Sequence, residues 1–198
     1  MAGEPPLVVD LDGTLLTHDS LLQLVGEVAR RAPHRAHKVV GAARSSQAHA
    51  RHFLWREAGL DAARLHYSPS VVRYLEQQAT TGRQIVLATG STQEMADAVA
   101  DYVGVFTRAI GALPPETLTG DRKAARLVDD FGLRAFDYAG NSSADLAVWR
   151  VSRAGIVCNA PARVLRKAMQ VTDVVASFDD RRYRGPGLQS LLSLIAKN

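Results

Sequence analysis

Asp10 and Asp12 stand two residues apart in the stretch LVVDLDGTLL, Leu7 to Leu16, where an apolar run meets a glycine and a threonine. Two carboxylates crowded into a partly dry place repel each other and are costly to desolvate. A cation between them removes that cost. A hard, all-oxygen pair suits Mg²⁺, which keeps several waters and takes phosphate oxygens. An aspartate can also attack a phosphorus centre and carry the phosphoryl group as an acyl phosphate. A second carboxyl can protonate the leaving oxygen and later deprotonate a water. Gly13 permits a tight exit turn that brings backbone N–H groups, with Thr14 next in line, toward a ligand. The alternative reading of the same residues is an acidic strand-to-turn exit with no chemistry.

Three further stretches carry candidate groups. In LATGST, Leu87 to Thr92, Thr89 closes an apolar strand ahead of Gly90. A hydroxyl with exposed N–H groups at a helix start binds anions, and the same arrangement serves as an ordinary helix cap. In GDRKAARL, Lys123 falls in the first turn of a helix that follows Gly120, where the helix dipole disfavours a cation. A phosphate or a carboxylate cluster would justify it; a solvated surface lysine is the alternative. In FDYAGNSSADLAVW, Asn141 and Asp145 flank a strand-to-helix turn. Ser142-x-x-Asp145 also fits a capping box, which would account for Asp145 without a metal.

The elements that must position these groups are legible as short apolar runs alternating with helical patterns. Strands are expected at Leu7–Leu11 and Gln84–Ala88, with weaker ones at Val105–Ile110, Phe136–Ala139, Gly155–Cys158 and Val174–Ala176. Helical spacing marks Thr92–Tyr102, Lys123–Phe131 and Ala144–Arg153, and Ser91 with Glu94 fits a capping box for the first of these. Such alternation argues an α/β fold with a doubly wound parallel sheet covered on both faces. Ligands bind such sheets beyond the carboxyl ends of the strands. Asp10, Thr89 and Asn141 are all expected there. Between Asp19 and about Pro69 no convincing strand occurs, while Leu21, Leu24, Val25 and Val28 recur at helical spacing, as does Ser46–Glu57. The expected organisation is a core of residues 1–18 and 70–198 with a helical insert at 19–69.

In chain order, D-x-D-G-T, a strand-end threonine, a lysine and G-N-x-x-x-D together resemble the haloacid dehalogenase superfamily of phosphohydrolases, from Leu7 to about Asn159. The resemblance implies a Rossmann-like core with the insert as a small C1-type cap after the first strand. It implies Asp10 as nucleophile and Mg²⁺ ligand, and Asp12 as general acid/base with its carbonyl on the metal. Thr89 would hydrogen-bond the transferred phosphoryl group and Lys123 would neutralise its charge, with Gly13, Thr14 and Gly90 beside them. Asn141 and Asp145 would complete the metal site, directly or through water. The family usually has an aspartate where Asn141 stands, so weaker metal binding is expected. Within the superfamily, DYAGNSSADLAVWR and GIVCNAP are most similar to the domain at the amino end of some UbiA-like prenyltransferase proteins. That similarity implies a stand-alone relative, or a domain that works beside a membrane enzyme. The activities implied are hydrolysis of a phosphate monoester (sugar or lipid-linked), phosphoryl transfer as a mutase, or a non-catalytic partner role.

Composition narrows the partners. The 198 residues are 46% hydrophobic with a formal net charge of +4, enough for one core and too weakly basic to indicate nucleic acid. One cysteine, Cys158, excludes an internal disulfide and reads as a buried strand residue. No signal-peptide pattern or membrane-length apolar run is present, so a cytoplasmic location is expected. Between 24 and 68, eight lysines and arginines face Glu27, Glu57 and Asp61, which concentrates the basic character in the insert and suits a small anionic substrate. All six histidines lie between His18 and His66. His34/His37 and His49/His52 are spaced i, i+3, but no cysteine or acid supports zinc, so solvated or phosphate-facing roles are expected. Phe53 and Trp55 read as cap core. In the tail, Arg181, Arg182 and Arg184 precede Leu188, Leu191, Leu192 and Ile195 at helical spacing. A helix docked on the core is expected, with peripheral contact of 181–198 to a membrane or membrane enzyme as the alternative.

Overall fold

The computed structural model describes residues 3–20, 25–26, 54–56, 61–113 and 116–182. Six strands form one sheet: β1 (Leu7–Val9), β2 (Ile85–Thr92), β3 (Arg108–Ala112), β4 (Asp137–Gly140), β5 (Ala154–Cys158) and β6 (Asp173–Phe178). Helices α1 (Pro69–Thr80), α2 (Gln93–Val103), α3 (Gly120–Phe131), α4 (Leu146–Val151) and α5 (Ala162–Ala168) alternate with them. The sheet order is β3-β2-β1-β4-β5-β6 and every pairing is parallel. The chain thus winds outward from β1 to β3, crosses back, and continues from β4 to β6. β1 and β4 are adjacent, with Val9 opposite Ala139, and the crevice at this reversal is where such sheets bind ligands.

β1, β2 and β5 are buried throughout because both faces are covered, while the edge strands β3 and β6 are partly exposed. Leu7 and Val9 face one core with Leu87, joined by Val71 and Leu75 of α1 and by Met95 and Val99 of α2. Val8 faces the other core with Val86, joined by Leu127 of α3, Trp149 of α4 and Val164 of α5. Cys158 is fully buried in the first core. Trp55 packs against that same core.

All six expected strands form, with shifted ends. β1 stops at Val9, because Leu11 already belongs to a turn, and β2 runs on to Thr92. α4 is shorter than Ala144–Arg153. The cap of α2 is Thr92, whose Oγ1 accepts from the Met95 N–H at 3.3 Å, so the Ser91–Glu94 box does not form. Ser91 is still in the strand. At the opposite, amino-terminal edge of the sheet, Asp137 is buried against Arg83 and Arg153; Arg153 Nη2 lies 2.6 Å from Oδ2. Most of the insert, including His34, His37, His49, His52 and Phe53, lies outside the described residues, as does the tail from 183. Among the described residues no helix is long and apolar enough to cross a membrane.

Candidate active site

β1 delivers Asp10 to the carboxyl edge of the sheet, where its N–H donates to the Ala139 carbonyl at 3.0 Å. The chain then makes one wide turn. Leu15 N–H donates to the Asp10 carbonyl at 3.2 Å and Leu16 N–H to the Leu11 carbonyl at 2.9 Å. Leu11 and Leu15 are fully buried and pin this turn to the core. Gly13 sits in it at φ +73°, a conformation that L side chains rarely adopt. A Cβ there would also lie 2.0 Å from Asn141 Nδ2. Gly13 therefore serves both the hand of the turn and the close approach of Asn141.

Lys123 reaches this point from the first turn of α3. It is 3% exposed, and its Nζ lies 2.6 Å from Asp10 Oδ1. The same ammonium donates to the Ala88 carbonyl at 3.0 Å and the Tyr138 hydroxyl at 3.2 Å. The cation that the helix dipole disfavours thus has a carboxylate to justify it. Burial pushes the Asp10 carboxyl up to about 6 from 3.8; Lys123 opposes that rise, while Asp145 and Asp12 add to it. The site carries more negative charge than its own lysine neutralises.

Asp12 is held from two sides: Oδ1 accepts from the Ser20 N–H at 2.8 Å and Oδ2 from Ser91 Oγ at 3.2 Å. Thr14 is fully buried, with Oγ1 3.4 Å from Asp10 Oδ2. Thr89 lies within β2 rather than after it. It is fully buried, and its Oγ1 accepts from the Ser91 N–H at 3.0 Å.

Asp145 closes the ring of carboxylates. Its Oδ2 accepts from Asn141 N–H at 3.0 Å and from Ser142 N–H and Oγ, both at 2.9 Å. Its Oδ1 accepts from the Tyr138 hydroxyl at 2.7 Å. The capping reading is therefore half fulfilled. Asp145 reaches back to the Ser142 N–H as in a capping box, but α4 starts only at Leu146. Burial holds the Tyr138 phenol well above its usual range, with Asp145 and Asp10 adding to the rise.

Asp10, Asp12, Gly13 and Gly90 line one cleft of about 380 Å³ together with Lys123, Asn141 and Asp145. Thr14 and Thr89 stand behind its wall. Sequence reasoning did not single out Tyr138, His18, Asn159 or Arg181 for this site. His18, Asn159 and Arg181 line the cleft. Asn159, at φ +52°, donates from Nδ2 to the Thr14 carbonyl at 3.2 Å and accepts from the Asp180 N–H at 2.7 Å. Asp180 in turn binds Ser70, with Ser70 N–H at 2.8 Å from Oδ2, which fixes the chain just before Arg181. Asn159 follows a strand as Asn141 does, and that position was its available signal. Tyr138 gave none beyond standing inside FDYAGNSSADLAVW.

The haloacid dehalogenase-like hydrolase family matches residues 7–150 of this chain. The uncharacterized protein y4nM of Sinorhizobium fredii is 26% identical over 152 residues, which are 77% of this chain and 29% of that protein. The chain thus spans less than a third of that relative. A protein of unknown function from Bordetella pertussis Tohama I has a similar structure, with a TM-score of 0.67 at 16% identity, covering 87% of this chain and 99% of that one. A structure described as a phospho-aspartyl intermediate analogue of phosphoserine phosphatase gives a TM-score of 0.56 at 13% identity, covering 98% of this chain and 99% of that one. At these identities the two structures share the fold.

Proposed function

This chain belongs to the haloacid dehalogenase-like hydrolase family, and we propose that it is a phosphohydrolase cleaving a phosphate monoester through an aspartyl-phosphate on Asp10. The observation that carries the reading is the buried Lys123–Asp10 contact at 2.6 Å, at the carboxyl end of the central strand, opening on a cleft beside Asp12. A purely structural ion pair has no need of a second carboxylate or an open cleft.

In this reading an Asp10 oxygen bonds to phosphorus as the ester P–O bond breaks. The departing oxygen takes the proton of the Asp12 carboxyl. Asp12, now ionised, takes a proton from the water that attacks the acyl phosphate; the Asp10–phosphorus bond breaks and inorganic phosphate leaves. The Ser20 N–H and Ser91 hydroxyl aim Asp12 in both half-reactions. Lys123 offsets charge gathering on the phosphoryl oxygens. Thr89, behind the wall, accepts from the Ser91 N–H, keeps its own proton and would need the wall to open to reach the phosphoryl group, while Gly13 and Gly90 line the cleft with their backbone and Thr14 backs them.

The donor set fits Mg²⁺. It is all oxygen, and the carboxylates of Asp10, Asp12 and Asp145 line one cleft around one buried ammonium, that of Lys123. Among the described residues no three His, Cys, Asp or Glu side chains form a metal cage. Asp10, the Asp12 carbonyl, Asn141 and water would therefore hold the ion, with Asp145 shaping the Asn141 loop or reaching the ion through water. Bound there, Mg²⁺ would neutralise phosphoryl charge.

The basic insert and the phosphoserine phosphatase neighbour favour a small anionic monoester, with sugar and lipid-linked phosphates the classes to screen. The match to 29% of a longer protein favours, as a second reading, a domain that works within or beside a larger protein without turnover of its own. Phosphate release from a monoester panel, by wild type and Asp10→Asn, with Mg²⁺ and with chelator, separates the two. Chelator-sensitive release lost in Asp10→Asn is expected. Equal release by both proteins refutes the aspartyl-phosphate, and none from wild type leaves the second reading.

A further inference from the structure

Tyr138 stands two residues before Gly140 in β4 and is fully buried, its ring edge-on to Trp149 at 6.3 Å. Gly140 lets it close on Asp145: a Cβ there would lie 2.8 Å from both Tyr138 Cε1 and Asp145 Cγ. The Tyr138 hydroxyl accepts from Lys123 Nζ at 3.2 Å and donates to Asp145 Oδ1 at 2.7 Å. An ammonium has three protons. Lys123 has three acceptors: Asp10 Oδ1 at 2.6 Å, Ala88 O at 3.0 Å and the Tyr138 oxygen at 3.2 Å. A carboxylate offers about four lone-pair sites. Asp145 takes Asn141 N–H, Ser142 N–H and Ser142 Oγ on Oδ2, and Tyr138 is the donor found on Oδ1. The ammonium's three protons are all committed, Asp145 Oδ1 is held by the phenol, and the phenol is the link between the two groups.

We propose that Tyr138 is a positioning residue whose hydroxyl ties the ammonium beside Asp10 to the carboxylate that holds the Asn141 loop. The assignment rests on the phosphohydrolase reading above for its catalytic meaning, and on geometry for the link itself. Filling the core between Lys123 and Trp149 requires only a ring. Phenylalanine supplies that ring; the hydroxyl is needed only where both neighbours must keep one orientation. Without it, Lys123 keeps two of its three acceptors and can swing off the Asp10 axis. Asp145 Oδ1 loses its donor, which frees the Asn141–Ser142 turn to rotate with the carboxylate.

The test is a double-mutant cycle on Tyr138→Phe and Asp145→Asn, read three ways. The readings are p-nitrophenyl phosphate hydrolysis against Mg²⁺ concentration, Mg²⁺ binding by calorimetry without substrate, and thermal melting. A lost hydrogen bond to a charged group predicts that Tyr138→Phe lowers kcat by about 10- to 100-fold with KM within about twofold. Mg²⁺ affinity should fall by at least about threefold, and the double variant should bind Mg²⁺ no more weakly than Asp145→Asn alone, since the two residues act as one unit. Active wild type with unchanged kcat and Mg²⁺ affinity in Tyr138→Phe overturns the inference and leaves the phosphohydrolase standing. If wild type does not hydrolyse p-nitrophenyl phosphate, the monoester panel judges the phosphohydrolase and calorimetry decides the link: equal Mg²⁺ affinity overturns it and a loss supports it. A Tyr138→Phe protein that does not fold, or a strictly additive cycle, assigns the hydroxyl to stability and overturns positioning.

Discussion

Asp10 gives the site a measurable liability in the metal-free protein. Its carboxyl is pushed up to about 6 from 3.8, chiefly by burial. A shift of about two pH units corresponds to roughly 3 kcal/mol of preference for the protonated form in the folded state. The sign follows from proton binding. Below about pH 4 both folded and unfolded chains hold the proton, and Asp10 contributes no pH dependence. From about pH 4 to 6 the folded chain holds it and the unfolded chain does not, so unfolding free energy falls as pH rises. Above about pH 6 the whole loss, roughly 3 kcal/mol, persists. Metal-free wild type should therefore gain stability from Asp10 on mild acidification, against the usual trend for a carboxylate in an ion pair.

Urea unfolding with chelator between about pH 4 and 8, for wild type and Asp10→Asn, isolates this term. Losing the Lys123 contact displaces the Asp10→Asn curve; the slope of the difference between the two curves reports Asp10. That difference should change by roughly 3 kcal/mol over the window. Asp179 does not mask it. Arg181 holds that carboxyl down to about 2, so its contribution is lost below the window, as pH falls. Mg²⁺ should flatten the wild-type slope by stabilising ionised Asp10. A difference that stays level with pH would show that Lys123 fully offsets burial, and the argued demand for a cation would be gone.

Three other substitutions follow from the geometry. Asn141→Asp restores a charge beside Asp10 and should lower the Mg²⁺ concentration for half-maximal activity by at least about threefold; an unchanged requirement contradicts the weak-metal reading of Asn141. Gly13→Ala meets Asn141 Nδ2 at 2.0 Å in a left-handed turn. It should cost about 1–2 kcal/mol of stability from the backbone alone and raise the Mg²⁺ requirement; wild-type melting and metal response would refute the contact. Arg83→Met removes a buried partner of Asp137 at the far edge of the sheet and should cost about 1.5–3 kcal/mol in urea unfolding. Its kcat should stay within about twofold of wild type, because the site lies at the opposite strand ends; a large activity loss would refute that separation.

The central strands β1, β2 and β5 were legible because doubly covered strands leave buried apolar runs, while the edge strands β3 and β6 left weaker signals because they are partly exposed. Strand ends were less legible, since they depend on tertiary pairing. β2 runs past Thr89 to Thr92 along β3, with the register shifting between Ala88 and Thr92, and no local propensity encodes that. Lys123 was legible as an anomaly, a cation at a helix start, but its partner 113 residues away was not. Ser20, Ser91 and Tyr138 left no trace of their site roles, because each acts through hydrogen bonds that only the folded turns and strands bring together. Such contacts carry neither periodicity nor spacing.

Asp145 shows why a local reading and a functional one need not compete. The sequence offered a helix-cap role and a site role for one carboxylate, as though one must displace the other. In the fold the two roles fall on different oxygens. Oδ2 gathers the Asn141 and Ser142 N–H groups and the Ser142 hydroxyl, as a turn-closing carboxylate would. Oδ1 faces inward to the Tyr138 hydroxyl and through it to Lys123. The turn thus aligns the carboxylate with the buried network, and the network fixes the turn that presents Asn141. An amide cannot do both, since its NH₂ end must confront either Tyr138 or the three Oδ2 donors. A short turn motif carries weight in such a site by spending separate atoms on local order and on chemistry.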